Sequence, residues 1–254
     1  FLSEFPEEQF DVIFADPPYF LSNDGITCQS GKMVKVNKGD WDKSEGFKDD
    51  VLFTKQWLIL CKKVLKPEGS LWITGTSHII YKIGYLLQEL GFKIINDIIW
   101  FKPNAPPNLS CKYFTHSHEI LLWAKKDNEH KFQFNYELMK KWNDPSDKIK
   151  NDNKQMRSVW WIPAINKKEK EYGFHPTQKP LELLNRIISA SSKRGDTILD
   201  PFNRSGTTGI VSNKLGRKYL GLEIEEKYIN ITMKRFENIN KIKLFTPQFR
   251  NSKN

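Results

Sequence analysis

Residues 15–20 read ADPPYF and place an acid, two prolines and a tyrosine directly after an apolar run. The run at residues 12–15 is typical of a buried strand, so Asp16 stands where that strand ends. Proline fixes φ and lacks an N–H, so Pro17 and Pro18 favour a stiff turn. A turn explains the prolines but does not require Tyr19, which makes this stretch a candidate for chemistry.

A second stretch, DTILDPFNRSGTTG at residues 196–209, joins a strand, a turn of small residues and a helix start. Nucleotide sites of doubly wound sheets have this arrangement, because small residues let a ligand approach the backbone and the helix N-terminus supplies N–H donors. Glu223 ends the next strand 23 residues after Asp200, where an acid can bind both hydroxyls of a ribose. Asp200 suits a cofactor that carries an amino group, such as the methionine part of S-adenosylmethionine. The alternative is a helix cap and two solvated acids at strand ends.

Short apolar segments rich in β-branched or aromatic residues alternate with segments of helical period. The predicted strands are 11–15, 70–74, 93–101, 119–124, 197–199 and 219–223, and the predicted helices are 50–65, 78–90, 180–192, 207–215 and 226–238. Such alternation predicts an α/β fold with a doubly wound, mostly parallel sheet. No helix is predicted between 93–101 and 119–124, so this pair is expected to form an antiparallel addition at one edge. Gly91 and Gly216 are predicted to end the helices before them.

Two stretches interrupt this alternation. Residues 21–49 are polar, contain four glycines and predict a long mobile loop directly after the first motif. Residues 125–171 carry 12 lysines and arginines against 8 acids. Interleaved with these charges are Phe132, Phe134, Tyr136, Trp142, Trp160 and Trp161. Two interpretations are open: an insertion that contacts nucleic acid, or a solvated helical cap whose aromatic residues are its small core.

The chain has 254 residues, a formal net charge of +10 and a pI near 9.3. This excess indicates a polyanionic partner, most often nucleic acid, although a basic surface can also serve solubility alone. Cys28, Cys61 and Cys111 form no CxxC pair, which argues against a zinc site or a disulfide framework and indicates a reducing compartment. No apolar run approaches the length of a membrane span and no signal peptide is seen, so we expect a cytoplasmic protein.

Three motifs in this order, DPPY at 16–19, HPTQKP at 175–180 and DPFNRSGTTG at 200–209, resemble those of the S-adenosylmethionine-dependent amino-group DNA methyltransferases. The catalytic motif precedes the cofactor motif, as in the circularly permuted β class, and the resemblance spans residues 9–236. The flanking Asp40-Trp41 and the stretch PPNLS at 106–110 look like the GATC-modifying adenine methyltransferases of the DpnII restriction system. The resemblance implies a Rossmann-like methyltransferase fold and a bacterial enzyme.

The resemblance also implies that the DPPY turn is the active site. Asp16 and the carbonyl of Pro17 would each accept one N–H of the exocyclic amino group of the target base, whose lone pair is otherwise delocalised into the ring. Methyl transfer would then be direct, with catalysis by positioning and electrostatics. Pro18 would help to hold the Pro17 carbonyl outward, and Tyr19 would offer a flat face to a base that is flipped out of the duplex or single-stranded.

The cofactor contacts that the resemblance implies come from four parts of the chain. The strand end and turn at 200–207 would line the methionine part and Glu223 the ribose, while HPTQKP would lie against the methionine part with Lys179 as the partner of its carboxylate. Asp16 is expected at the same site. The full set of expected contacts is Asp16, Thr177, Gln178, Lys179, Asp200, Phe202, Ser205, Gly206, Thr207 and Glu223.

Two departures from the family pattern stand out. The pattern DPFxGSGTT has glycine where this chain has Arg204, so we expect either a reshaped turn or a side chain that points outward to solvent or phosphate. We do not expect Arg204 to be a cofactor ligand. Family members also carry a strand and an acid before DPPY, and we expect that piece to lie upstream of Phe1, because only Glu4, Glu7 and Glu8 precede Asp11 as acids.

The resemblance divides one catalytic domain into a catalytic half at 1–125, a target-recognition insertion at 126–172 and a cofactor-binding half at 173–254. The expected activity is N6-methylation of adenine in double- or single-stranded DNA, within GATC, as part of a restriction–modification system. A homodimer and a companion restriction endonuclease are compatible with it, and no metal is expected.

Three alternatives stay open. N4-methylation of cytosine uses the same chemistry, but serine is commoner there in place of Asp16. Relatives that methylate protein or RNA usually carry asparagine at that position. The third alternative is a nucleic-acid-binding module without enzyme activity.

Overall fold

The computed structural model describes residues 2–22, 26–29, 32–35, 39–165, 168–171, 173 and 175–241. At 26–29, 32–35, 40, 168 and 241 it describes the backbone alone. The part of the predicted mobile loop at 23–25, 30–31 and 36–38, and the end of the predicted cofactor-binding half at 242–254, lie outside the described residues.

The strands and helices follow the predicted alternation, with four elements added. The strands are β1 (Phe10–Ala15), β2 (Ile26–Gln29), β3 (Lys32–Lys35), β4 (Leu65–Gly75), β5 (Lys93–Phe101), β6 (His118–Lys125), β7 (Val159–Trp161), β8 (Thr197–Asp200) and β9 (Lys218–Gly221). The helices are α1 (Phe47–Val64), α2 (Ile80–Glu89), α3 (Tyr136–Lys140), α4 (Leu181–Ser191), α5 (Thr207–Lys214) and α6 (Glu226–Glu237). Short 3-10 turns occur at Leu2–Glu4, Asp40–Asp42, Lys168–Lys170 and Ile239–Lys241. The β2–β3 hairpin, α3 and β7 were not predicted.

Seven strands form one sheet in the order β7-β5-β6-β4-β1-β8-β9. The pairs β4–β1, β1–β8, β8–β9 and β5–β7 are parallel, whereas β6 runs antiparallel to both β5 and β4. The predicted mostly parallel sheet is therefore confirmed. The antiparallel strand lies inside the sheet rather than at its edge, because β7 pairs with β5 and extends the sheet by one more strand.

Both faces of β1 are covered, which explains its continuous apolar sequence. Ile13 and Ala15 pack in a core with residues of α1 and α2, while Val12 and Phe14 pack in a second core with residues of α4 and α5. The alternation follows from the two-residue period of a strand. The sheet is thus the middle layer between two helical layers, as in doubly wound folds.

The order of the strands reverses direction between β1 and β8. From β1 the chain passes through α1 to β4 on one side, and from β8 it passes through α5 to β9 on the other. Val12 lies opposite Ile198 in the parallel pair, so both strands end at the same edge of the sheet. Ligands of such folds bind at this kind of crevice, and here Asp16 and Asp200 stand at its two sides.

The segment at 126–172 packs partly as a small core of its own. Trp142 and Trp160 are buried, and the guanidinium of the buried Arg186 on α4 lies 5.9 and 5.3 Å from their ring centroids. Arg186 also pairs with Asp147 at 2.7 Å, which ties the segment to α4. Its tryptophans therefore serve packing. In the same segment Phe134 and Tyr136 are each 40% exposed.

Two further predictions can be compared with the fold. Gly91 and Gly216 follow the ends of α2 and α5 with φ of 74° and 72°, as predicted. Among the helices that the structure describes, none combines the length and apolar character that crossing a membrane would require.

Candidate active site

The DPPY segment leaves β1 at the carboxyl end of the sheet and is held there by a residue from another part of the chain. Asp16 is 2% exposed. The first N–H groups after the two prolines, those of Tyr19 and Phe20, donate to Asp42 Oδ1 at 2.9 and 3.0 Å. Asp42 is itself buried, so this carboxylate fixes the path of the chain beyond the prolines. Sequence reasoning missed Asp42, although it follows the Trp41 that the family resemblance had singled out.

Tyr19 points into the protein. Its hydroxyl oxygen lies 2.9 Å from Asp16 Oδ1, 3.0 Å from Glu119 Oε2 and 3.3 Å from Thr74 Oγ1. Burial and then the two carboxylates raise the pKa of Tyr19 well above its ordinary value, so the hydroxyl stays a neutral donor. Its side chain is 4% exposed, and Lys179 Nζ lies 5.3 Å from the ring centroid. The ring does not present the open flat face that we expected.

Lys179 brings HPTQKP into contact with DPPY. Its Nζ donates to Asp16 Oδ2 at 2.8 Å and lies 3.6 Å from Glu119 Oε2. On the other side of Glu119, Lys102 Nζ lies 3.0 Å from Oε1. Burial opposes the ionisation of Glu119, but Lys179 and Lys102 outweigh it and lower its pKa to about 2. Lys179 is therefore engaged with protein carboxylates and not available as the carboxylate partner that we expected. Sequence reasoning missed Glu119, which no motif marks.

The two residues before Lys179 have different environments. Gln178 Nε2 donates to the carbonyl of Glu169 at 2.8 Å, while its Oε1 is buried and has no hydrogen-bond partner among the described residues. Thr177 Oγ1 lies 3.1 Å from His175 Nδ1. The ring of His175 packs between Trp41 and Tyr228. Gln178 is thus the member of this motif that has an acceptor to offer.

Asp200 is buried at the end of β8, and its carboxylate accepts two hydrogen bonds. Phe202 N donates to Oδ1 at 3.0 Å, and Thr208 Oγ1 donates to Oδ2 at 2.5 Å. Burial raises the pKa of Asp200 to about 7, although these hydrogen bonds act in the opposite direction. Asp200 therefore changes its charge near neutral pH.

The turn before α5 is held by an arginine of α6. Arg235 Nη1 donates to the carbonyl of Ser205 at 2.5 Å and to Thr207 Oγ1 at 3.0 Å, and it lies 3.1 Å from Ser205 Oγ. Gly206 has φ of 72°, and a Cβ there would lie 2.5 Å from Thr232 Cγ2. Both the dihedral angle and the close approach of α6 require glycine. The expected contacts Ser205, Gly206 and Thr207 are thus held in place by the packing of α6.

Arg204 is the largest departure from expectation at this site. The side chain does not point outward: it is 8% exposed and reaches across to the DPPY turn. Its Nη2 donates to the carbonyls of Asp16 and Pro17 at 2.6 and 2.9 Å, and its Nε lies 3.2 Å from Asp16 Oδ2. The guanidinium also lies 4.8 Å from the ring centroid of Trp41. Arg204 has a left-handed backbone with φ of 53°, a conformation that glycine adopts more easily than arginine.

A large cavity of about 980 Å³ opens beside the ends of β8 and β9. Glu223 lies on its wall, where Oε2 accepts the N–H of Arg204 at 2.7 Å and Oε1 accepts that of Ile224 at 2.9 Å. Much of the remaining wall is apolar or aromatic and includes Trp41 and Phe202. An apolar cavity with one acid at its rim suits the adenosine part of a nucleoside cofactor.

A second, much smaller space of about 10 Å³ is lined by Arg204, Asp16, Gln178 and Asp200 among others. Two of these lining residues have a buried polar atom without a hydrogen-bond partner among the described residues, the acceptor Gln178 Oε1 and the donor Arg204 Nη1. Together with Asp200 they suit an amino acid group, which carries an ammonium and a carboxylate. The residues around both spaces therefore fit S-adenosylmethionine. No cluster of metal-binding side chains occurs in the described ranges.

Comparisons with known proteins identify the family of the chain. A family model described as DNA methylase matches residues 10–234. The chain is 52% identical over 238 residues to the Type II methyltransferase M2.DpnII of Streptococcus pneumoniae, covering 93% of this chain and 86% of that protein. It is 46% identical over 239 residues to the Type II methyltransferase M2.MboI of Moraxella bovis, covering 94% of this chain and 85% of that protein.

Solved structures show the same fold. The M1.HpyAVI–SAM complex is 27% identical, with a TM-score of 0.64 over 90% of this chain and 89% of that one. The cytosine-N4-specific PvuII DNA methyltransferase is 19% identical, with a TM-score of 0.70 over 94% of this chain and 86% of that one. At this identity the likeness is one of fold alone. The resemblance predicted from the three motifs is confirmed. The chain belongs to the DNA methylase family and is an S-adenosylmethionine-dependent DNA methyltransferase.

Proposed function

We propose that this protein methylates the N6 amino group of adenine in DNA, with Asp16 and the Pro17 carbonyl as the two acceptors of that amino group. One observation carries the proposal. The guanidinium of Arg204 contacts Asp16 Oδ2 through Nε at 3.2 Å and the Pro17 carbonyl through Nη2 at 2.9 Å. Two nitrogens of one guanidinium thus contact both acceptors, so the acceptors face the same place, where the amino group of a base would be held.

The acceptors act by orienting and polarising the amino group. When both of its N–H groups are held, its nitrogen becomes more tetrahedral and electron-rich, which favours attack on a carbon electrophile. S-adenosylmethionine supplies that electrophile, a methyl group on a sulfonium that leaves as a neutral thioether. Lys179 and the hydroxyl of Tyr19 donate to the two oxygens of the Asp16 carboxylate and fix its orientation.

The roles of the cofactor residues follow from the two spaces beside Arg204. Glu223 would accept hydrogen bonds from the ribose hydroxyls, while Phe202 would line the adenosine part. Asp200 and Gln178 would accept the ammonium of the amino acid part. Ser205, Gly206 and Thr207 would hold the turn, and Thr177 would keep HPTQKP in position through His175.

DNA is the substrate of the family, and we infer that two segments contact it. The aromatic and basic residues at 126–172 would read the target sequence, with the exposed Phe134 and Tyr136 as contact residues, since Trp142 and Trp160 are used for packing. The segment at 21–49 would close over the DNA, because Asp42 and Trp41 already touch the active site.

The target sequence GATC rests on the likeness to M2.DpnII and M2.MboI, which are Type II methyltransferases. We further infer a cytoplasmic bacterial enzyme that works beside a restriction endonuclease, and a homodimer is compatible with this role. Cytosine N4-methylation remains the second candidate, because its chemistry needs the same two acceptors.

The test uses tritiated S-adenosylmethionine and three oligonucleotides that are based on GATC. The first is unmodified, the second has 2-aminopurine in place of the adenine, which removes the N6 amino group, and the third has uracil in place of the cytosine, which removes the cytosine amino group. The proposal predicts label in the first and third and none in the second. Label in the second oligonucleotide but not in the third would assign the activity to N4-methylation of cytosine. The same three sequences as single strands report the strand preference.

A further inference from the structure

Arg204 stands in a turn whose other members are small, and it is not accounted for by the proposed function. Its three guanidinium nitrogens have different environments. Nε and Nη2 bind the DPPY turn, whereas Nη1 is buried without a hydrogen-bond partner among the described residues. A buried donor that is left unpaired costs free energy, and the described residues supply no acceptor for Nη1.

The position of Arg204 has two consequences. Its guanidinium occupies the carbonyl of Pro17 and shares Asp16 Oδ2 with Lys179, so the target amino group would have to compete with it. Arg204 also lines both the cavity of about 980 Å³ and the space of about 10 Å³ that Asp200 lines. The smaller space is too small for an amino acid group while the side chain stays where it is.

The residue that was expected to pair with the carboxylate of the methyl donor is occupied by other contacts. Lys179 is 6% exposed and is engaged with Asp16 and Glu119. Arg204 lines the smaller space, and its Nη1 is a cationic donor without a hydrogen-bond partner among the described residues; Gln178 lines the same space, and its Oε1 is an acceptor without one. Guanidinium groups bind carboxylates more strongly than neutral acceptors such as a peptide carbonyl.

We propose that Arg204 exchanges partners, so that access of the target base depends on the methyl donor. When no methyl donor is bound, Arg204 occupies the acceptors of Asp16 and Pro17. When the amino acid part of the donor binds, Arg204 turns to its carboxylate and frees these acceptors. The inference rests on the proposed function of Asp16 and Pro17, and it makes Arg204 a positioning residue that couples the two binding events.

The first experiment measures binding and not methyl transfer. Isothermal titration calorimetry compares S-adenosylhomocysteine with 5′-methylthioadenosine, which lacks the amino acid group, for the intact chain and for Arg204→Gly. We expect Arg204→Gly to weaken the affinity for S-adenosylhomocysteine at least about tenfold, as for the loss of a charge-assisted hydrogen bond. The affinity for 5′-methylthioadenosine should change by less than about twofold. The exposed Arg194→Gly serves as the matched control and should change neither.

The second experiment measures the coupling. A fluorescent oligonucleotide that contains the target adenine is titrated with and without saturating S-adenosylhomocysteine. In the unaltered protein the cofactor product should strengthen binding of the oligonucleotide by about fivefold or more, whereas Arg204→Gly should bind it equally in both conditions. Arg204→Gln, which keeps a polar but shorter side chain without the charge, repeats both experiments and replaces Arg204→Gly if that variant does not fold.

Each other outcome overturns the inference. Unchanged or tighter binding of S-adenosylhomocysteine in the Arg204 variants would mean that Arg204 is not a carboxylate ligand. An equal loss for both ligands would indicate damage to the whole cavity, and a preserved coupling would mean that Arg204 does not control access. Failure of the proposed function is distinguishable, because it would appear as absent methyl transfer by the unaltered protein.

Discussion

Lys179 Nζ lies 2.8 Å from Asp16 Oδ2, and this contact joins two motifs that are 163 positions apart in the chain. Both side chains are buried. A buried ion pair contributes little net stability, but removal of one partner leaves the other charge uncompensated. The pair therefore fixes the orientation of the carboxylate that we propose as catalytic, and a substitution that tests Asp16 must keep the shape of its side chain.

Asp16→Asn keeps the volume of the side chain and removes its charge. We expect methyl transfer to fall at least about 100-fold, because a neutral amide orients and polarises the amino group poorly. Binding of S-adenosylhomocysteine should change little, as measured by calorimetry. Asp11→Asn at the other end of β1 is the matched control. Transfer at the unaltered rate by Asp16→Asn would contradict the role of Asp16.

Asp200 predicts a pH dependence of cofactor binding. Burial raises its pKa to about 7, and only the ionised carboxylate attracts an ammonium group. The affinity for S-adenosylhomocysteine should therefore rise as the pH increases through about 7 and then level off, whereas Asp200→Asn should bind more weakly without this dependence. Calorimetry with 5′-methylthioadenosine, which has no ammonium, is the control and should show no such rise. A flat profile for the unaltered protein would exclude Asp200 as the ammonium partner.

Glu223→Ala tests the ribose assignment. Loss of hydrogen bonds to a carboxylate should weaken the affinity for S-adenosylhomocysteine about tenfold or more, while the affinity for DNA changes little. Because Glu223 also accepts backbone N–H groups of Arg204 and Ile224, thermal unfolding must show that the variant is folded at the temperature of the titration. The exposed Glu226→Ala should bind like the unaltered protein. An unchanged dissociation constant for Glu223→Ala would remove this residue from the ribose site.

The net charge of +10 predicts that DNA binding depends on salt. Contacts with phosphates release counterions, so the affinity for a duplex should fall by about tenfold or more between about 50 and 200 mM salt. Fluorescence anisotropy with a labelled duplex measures this slope, and calorimetry with S-adenosylhomocysteine under the same conditions should show a much smaller change. A DNA affinity that does not respond to salt would argue against a phosphate-binding surface.

The fold could be predicted where a segment has one dominant period. The strand at Lys93–Phe101 has its predicted bounds, and α5 begins at the predicted Thr207. Short elements that depend on distant partners could not be predicted. β7 has three residues and exists as a strand because it pairs with β5, and α3 has five residues and packs against α4.

The candidate site could be predicted where it lies within a motif. The structure brings Asp16, Lys179 and Asp200 to one edge of the sheet, as the three motifs indicated. Glu119 and Asp42 could not be found in this way, since each is a single acid whose partners are far away in sequence. The inward direction of Arg204 could not be predicted either, because it depends on carbonyl groups 187 and 188 positions away.

The nucleoside that carries the transferred methyl group tests the central claim most directly. Unmethylated DNA is incubated with the protein and methyl-labelled S-adenosylmethionine, digested to nucleosides and analysed by chromatography and mass spectrometry. The account predicts that the label appears in N6-methyldeoxyadenosine and that Asp16→Asn removes it. Label in N4-methyldeoxycytidine, or no labelled nucleoside from a protein that binds both the cofactor and DNA, would contradict it.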